Sequence, residues 1–190
     1  MILAIILSHV RKWLSRAIWL VLILTLSCGG GGGGSPEERP RVTACLIEGK
    51  TIDCLKEGRF ILNTVTPTAE IQFSKPIRTE TASDNVRVCA ESLLSGRGVS
   101  APLRSATDVA AVEWVGGNTR LQLHLLGNED VQLRDGSVGG MVVTLTGGVL
   151  SSDGQSLEPV TIGPLLFEID LTGRGGQAIA TAGPLRFCAS

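Results

Sequence analysis

Arg120-Leu121-Gln122-Leu123-His124-Leu125 is the stretch that decides the fold of this chain. Leucine occupies every second position, so an extended backbone lines one face with three leucines and the other with Arg120, Gln122 and His124. The same period runs through Glu70 to Ser74, where Ile71 and Phe73 alternate with polar residues, and through Val86 and Val88. It returns at Met141, Val143 and Leu145, which alternate with Val142, Thr144 and Thr146. Further candidate strands lie near Phe60 to Val65, Val109 to Val115 and Leu165 to Ile169, and turn signals at Gly116-Gly117-Asn118, Asp135-Gly136 and Asp153-Gly154 separate several of them. Regularly spaced strands with no convincing amphipathic helix predict an all-β fold, an antiparallel β-sandwich. Ile71, Phe73, Val88, Leu121, Leu123, Val143 and Leu145 are then expected inside, with Gln72, Arg87, Gln122 and His124 on solvent faces.

Composition agrees: 24 glycines and 8 prolines with few aromatics and many Val, Leu, Ile and Thr favour short strands joined by turns. The N-terminus is organised differently. Arg11, Lys12 and Arg16 precede an apolar run from Ala17 to Ser27, too short for a membrane span and of the length of a secretory h-region. Leu24-Thr25-Leu26-Ser27-Cys28 resembles the lipobox of bacterial lipoproteins, although Thr25 stands where the commonest form has Leu. The resemblance implies that residues 1–27 are a signal peptide, that Cys28 carries the lipid (diacylglycerol and an amide-linked acyl chain such as palmitate), and that the protein is held on the envelope membrane. Gly29 after the cysteine implies sorting to the outer membrane. Met1 to Leu7 is apolar ahead of the charges, and a start at Val10 gives a more conventional signal. Loss of residues 1–27 leaves 163 residues with 14 basic and 18 acidic side chains, a formal charge of −4 that offers no electrostatic grip on nucleic acid.

With Cys28 assigned to lipid, Cys45, Cys54, Cys89 and Cys188 remain, an even set suited to two disulfides in an oxidising compartment. Gly49 placed first in a two-residue type II′ turn brings Glu48 opposite Thr51 and, counting outward, Cys45 opposite Cys54, within bridging distance. Cys89 and Cys188 then pair by elimination. Arg87-Val88-Cys89 and Arg186-Phe187-Cys188 share one alternation, which predicts outward-facing cysteines on neighbouring strands and Phe187 on an apolar face. Zinc is the weaker reading, since no Cys-x-x-Cys pair exists and His124 is the only histidine after the signal segment.

Ala69-Glu70-Ile71-Gln72-Phe73-Ser74-Lys75-Pro76-Ile77, Asn85-Val86-Arg87-Val88, Thr119 to Leu123, and Val142-Val143-Thr144-Leu145 leading into Gly148 to Leu157 follow one another in the chain. In that order they resemble the bacterial Ig-like domain named for the surface-layer protein SbsA. The resemblance covers roughly Phe60 to Ile169 and implies an Ig-like sandwich; the family's Tyr before the Val-Thr-Val strand is absent here, with Met141 near its place. The expected organisation is a signal peptide (1–27), a lipidated Cys28 with a Gly- and Pro-rich linker (28–41), a disulfide-closed hairpin (42–57), the sandwich (58–170), and a C-terminal extension tied back by Cys188 (171–190).

Chemistry is sparse. His124 is the one available triad base and sits on an expected solvent face, and Gly136-Ser137-Val138-Gly139 lacks the glycine two residues before Ser137 that a nucleophile elbow requires. Asp84, Glu129, Asp130, Asp135 and Asp153 fall in expected loops without the dense spacing of a calcium site. Trp114 alternates with Val112, so core packing outweighs a sugar platform. No catalytic residue, metal ligand or cofactor is assigned. The expected function is a lipid-anchored, non-catalytic envelope protein presenting its module for structural, adhesive or protein-interaction roles. Its partners are the membrane, through Cys28, and other envelope proteins. The alternative is a ligand- or polysaccharide-binding accessory protein.

Overall fold

In the computed structural model, residues 38–189 are described; Cys28, the signal segment and most of the linker lie outside them. The alternating segments form two five-stranded sheets packed face to face, an all-β sandwich. The first sheet contains β1 (Val42–Ile47), β2 (Lys50–Ile52), β4 (Thr68–Phe73), β7 (Ala110–Val115) and β8 (Arg120–Leu125), in the order β2-β1-β4-β8-β7. The second contains β3 (Gly58–Leu62), β5 (Val86–Ser92), β6 (Arg97–Pro102), β9 (Val138–Leu145) and β10 (Val160–Ile169), in the order β3-β10-β9-β5-β6.

Period-two patterning places the core. Ile71 sits opposite Leu121 in the β4–β8 register, and Val88 opposite Val143 in β5–β9, so each pair presents its apolar side chains to the facing sheet. All seven residues expected inside are buried, and together with Met141, Ile162, Leu165, Phe167 and Ile169 they form one cluster. Burying one such leucine contributes about 1.5–3 kcal/mol. Phe73 stacks on half-buried Trp114 at 5.9 Å between ring centroids, which puts the tryptophan at the core margin. Of the residues expected on solvent faces, Arg87 is exposed, whereas Gln72, Gln122 and His124 are half-buried.

Three features differ from the sequence reading. The hairpin turns on Glu48 and Gly49, with φ of 48° and 74°, so both central residues are left-handed, as a type I′ turn requires. Cys45 therefore lies opposite Ile52, not Cys54. The slip is two residues, which preserves the faces, and Cys54 reaches Cys45 from beyond the strand end at a Cα separation of 5.4 Å. Glu48 tolerates the turn because its amide donates to Thr68 O and its Oε1 accepts from Thr68 N. Secondly, β1 is not an appendage but the neighbour of β4 in the sheet, and buries Cys45 and Ile47 in the core. Thirdly, β3 runs parallel to β10, from Gly58 opposite Leu165 to Leu62 opposite Ile169. Short helices α1 (Thr79–Asn85) and α2 (Gln177–Thr181), with a 3₁₀ turn at Leu103–Asp108, escape a periodicity search because each is about two turns or fewer; α1 buries only Ala82.

The resemblance motifs meet in space. Ile77 bridges to Ser151, Ser152 N donates to Pro76 O, and Lys75 Nζ lies 2.7 Å from Asp153 Oδ2. The Ser74 to Ile77 segment and the Ser151 to Asp153 loop thus brace one another.

Candidate functional site

Three surfaces gather the polar chemistry. The first is a clasp on the outer face of the second sheet. On β5, the side chains opposite the core are Arg87, Cys89 and Glu91; on β10 they are Leu166 and Glu168, followed by Asp170. Residues 171–189 lie across this face, and Cys188 is bonded to Cys89 with Cα atoms 5.7 Å apart. Glu91, 1% exposed, accepts main-chain N–H groups from Arg186 (2.9 Å), Phe187 (2.8 Å) and Cys188 (3.2 Å). Glu168 accepts from Ile179 N at 2.9 Å. Asp170 accepts from Thr172, Arg174 and Gly175 N–H groups, and these bonds, Gly175's first, hold its carboxyl below the ordinary range against the opposing effect of burial. Arg59 completes the clasp by donating to the carbonyls of Ile179 and Ala182. Gly140 makes room: a Cβ there would stand 2.6 Å from Leu185 Cδ2, so only a bare backbone seats that leucine on the sheet.

Arg186-Phe187-Cys188 is therefore not a strand beside β5 but an irregular segment held by a carboxylate. Phe187 is 42% exposed rather than core, its ring lying over Gly98 of β6. Cys89, expected outward, does face outward and is buried by this cover. Sequence reasoning missed Glu91, Glu168 and Asp170. The available signal was the shared parity of Cys89 and Glu91, a carboxylate one same-face step from a disulfide.

The second surface is the outer face of the first sheet. At its centre Glu70 accepts from Gln72 Nε2 (2.8 Å) and Gln122 Nε2 (2.7 Å), with Arg120 at 3.7 Å. Burial raises the Glu70 pKa, but the amide bonds and the Arg120 charge outweigh it, and the net shift is downward. His124 shares a 3.0 Å hydrogen bond with Thr68 Oγ1 and lies 3.8 Å from Glu113. Ser137 is buried at the turn before β9 with its Oγ accepting Arg134 N, so it belongs to the other sheet and does not meet His124.

The third surface is the side of the sandwich where β2 and β3 end their sheets. A groove of about 550 Å³ is lined by Val42, Thr51, Ile52, Leu55, Glu158 and Pro159 among others. A second, of about 480 Å³, runs along the free edge of β3 between Phe60, Ile61 and Leu62 and the hairpin tip at Ile47, Glu48 and Lys50. Leu55 and Ile61 are 70% and 54% exposed.

The loop carboxylates stay apart. Asp84 pairs with Arg104, Asp135 accepts Leu171 N, and Asp153, bonded first by Lys75 and then by Ser151, is lowered to about 2. Among the described residues no three His, Cys, Asp or Glu side chains cluster as metal ligands.

No protein-family profile and no curated protein matches this chain. Two solved structures are similar to it: the surface-layer protein SbsC, domains 1–6, at 16% identity and a TM-score of 0.37, and the S-layer protein rSbsC(31-844), at 16% identity and 0.36. Each comparison covers 70% of this chain, and the chain spans only 14% of either neighbour's length.

Proposed function

We propose that this chain is a lipid-anchored, non-catalytic protein of the bacterial envelope that presents an Ig-like sandwich for structural, adhesive or protein-interaction work. One observation carries the reading: its buried polar groups are spent on holding the backbone. Glu91, Glu168 and Asp170 are engaged by main-chain N–H groups, and among the described residues no buried side-chain nitrogen or oxygen lacks a partner. A hydrolytic site needs a nucleophile, a base and an orienting group brought together, and His124 is instead engaged with Thr68 on an open sheet face. The anchor rests on the sequence alone, through the lipobox-like run ending at Cys28 and the glycine tether behind it.

The rival reading, a ligand- or polysaccharide-binding accessory protein, draws on the groove of about 550 Å³, a volume within the range of small-molecule sites. None of its lining residues is aromatic, which disfavours a sugar platform. The anchor is tested with Cys28→Ser: incorporation of a fatty-acid analogue should cease and the protein should leave the membrane fraction. Equal labelling of the variant would refute lipidation.

A further inference from the structure

We propose that the free edge of β3 is the seat of a second copy of this chain, paired antiparallel across a two-fold axis through Ile61. The inference rests on the non-catalytic interaction reading and names the partner.

The edge is identified by its hydrogen bonds. Asp170 N donates to Leu62 O, so Leu62 directs its main-chain groups toward β10. In a parallel ladder alternate residues face alternate sides, which turns the N–H and C=O groups of Arg59 and Ile61 away from the sheet, and the Asn63 N–H, on the same peptide as the inward Leu62 carbonyl, points the same way. No described strand lies on that side.

Exposed edges are commonly blunted by shortness, by proline or by charge. The other three edges carry such devices: β2 has three residues, β6 ends at Pro102 with Phe187 over Gly98, and β7 carries Glu113 at its centre. On β3 the one charge, Arg59, is drawn off the edge to Glu57 at 2.8 Å and to the carbonyls of Ile179 and Ala182. The apolar residue that remains exposed on the strand is Ile61, at 54%.

The same edge complements itself. An axis through Ile61 sets Ile61 opposite the copy's Ile61 as a hydrogen-bonded pair and brings the Asn63 N–H opposite the copy's Arg59 carbonyl. Phe60 faces the copy's Leu62 on the inner side, continuing the apolar floor of the groove.

The test is sedimentation equilibrium of the full chain in density-matched detergent. The wild-type mass should double as concentration rises. Ile61→Lys and Ile61→Glu, each placing like charges across the axis, should both stay monomeric, and an equimolar mixture of the two should restore the dimer; that rescue excludes misfolding as the cause. A wild-type chain monomeric to about 1 mM overturns the proposal. So does a dimer that survives either substitution, or a mixture that stays monomeric. Protection of the Ile61 amide by envelope extract, with the chain itself monomeric, assigns the edge to a different partner and equally overturns it. None of these results touches the Cys28 labelling outcome, so the two readings fail separately.

Discussion

Glu91→Gln isolates the clasp. The substitution keeps the shape of the side chain and one acceptor oxygen, but replaces the other with an NH₂ group facing three main-chain donors at 2.8–3.2 Å. Hydrogen bonds to a charged group are worth about 1.5–3 kcal/mol each, so the three together contribute at most about 4.5–9 kcal/mol. Gln retains part of that, and Arg186 to Cys188 lie near enough to solvent for water to satisfy some of what is lost. The expected destabilisation is about 2–4 kcal/mol, a large share of the usual 5–15 kcal/mol of a small domain. With both disulfides intact, a urea titration should lose roughly 1–2 M in midpoint. Amide exchange should localise the effect, with protection falling at Arg186, Phe187 and Cys188 before it falls at Val143 or Leu121. An unchanged midpoint with unchanged protection at those three amides would show that the disulfide alone holds the segment and that Glu91 contributes nothing.

Removing the long cross-link with Cys188→Ser should cost about 4–5 kcal/mol and Cys54→Ser about 2–3 kcal/mol, because the bridged separations are 99 and 9 residues; equal losses would contradict the loop-entropy ordering. Phe73→Ala should cost about 3–5 kcal/mol and alter Trp114 fluorescence, since it empties a core site and removes the stacked ring, whereas His124→Ala should stay within about 0.5–1.5 kcal/mol, the worth of its one hydrogen bond to Thr68. Asp153 falls from its ordinary 3.8 to about 2 in the folded chain, so the stability that it adds is fully present above pH 3.8 and is lost as pH drops toward 2. Asp153→Asn should flatten acid unfolding in that window, and an unchanged acid limb would show that the Lys75 pairing does not contribute.

Alternation along the chain by itself determined the fold class, the seven core residues named from it and the inward faces of β4, β5, β8 and β9, because side-chain direction in an extended backbone is a local property with a period of two. It placed Leu121 and Leu123 inside and Arg87 outside without reference to any neighbour. Cysteine parity left four cysteines for two disulfides, and turn counting followed by elimination led to Cys45 with Cys54 and Cys89 with Cys188, the pairs found bonded although the counted register was two residues off. Tertiary structure decided everything that depends on which segment lies beside which: the type I′ turn at Glu48-Gly49, the parallel placement of β3 on β10, and the irregular path of Arg186 to Cys188. The hairpin was misplaced because Gly49 suits either central position of a tight turn, and only the bonds of Glu48 to Thr68, 20 residues away, select one register. Glu91 was invisible for the same reason. A buried carboxylate is intelligible only through its partners, and those are main-chain N–H groups 95 to 97 residues further along, which carry no side-chain signature for a sequence to record.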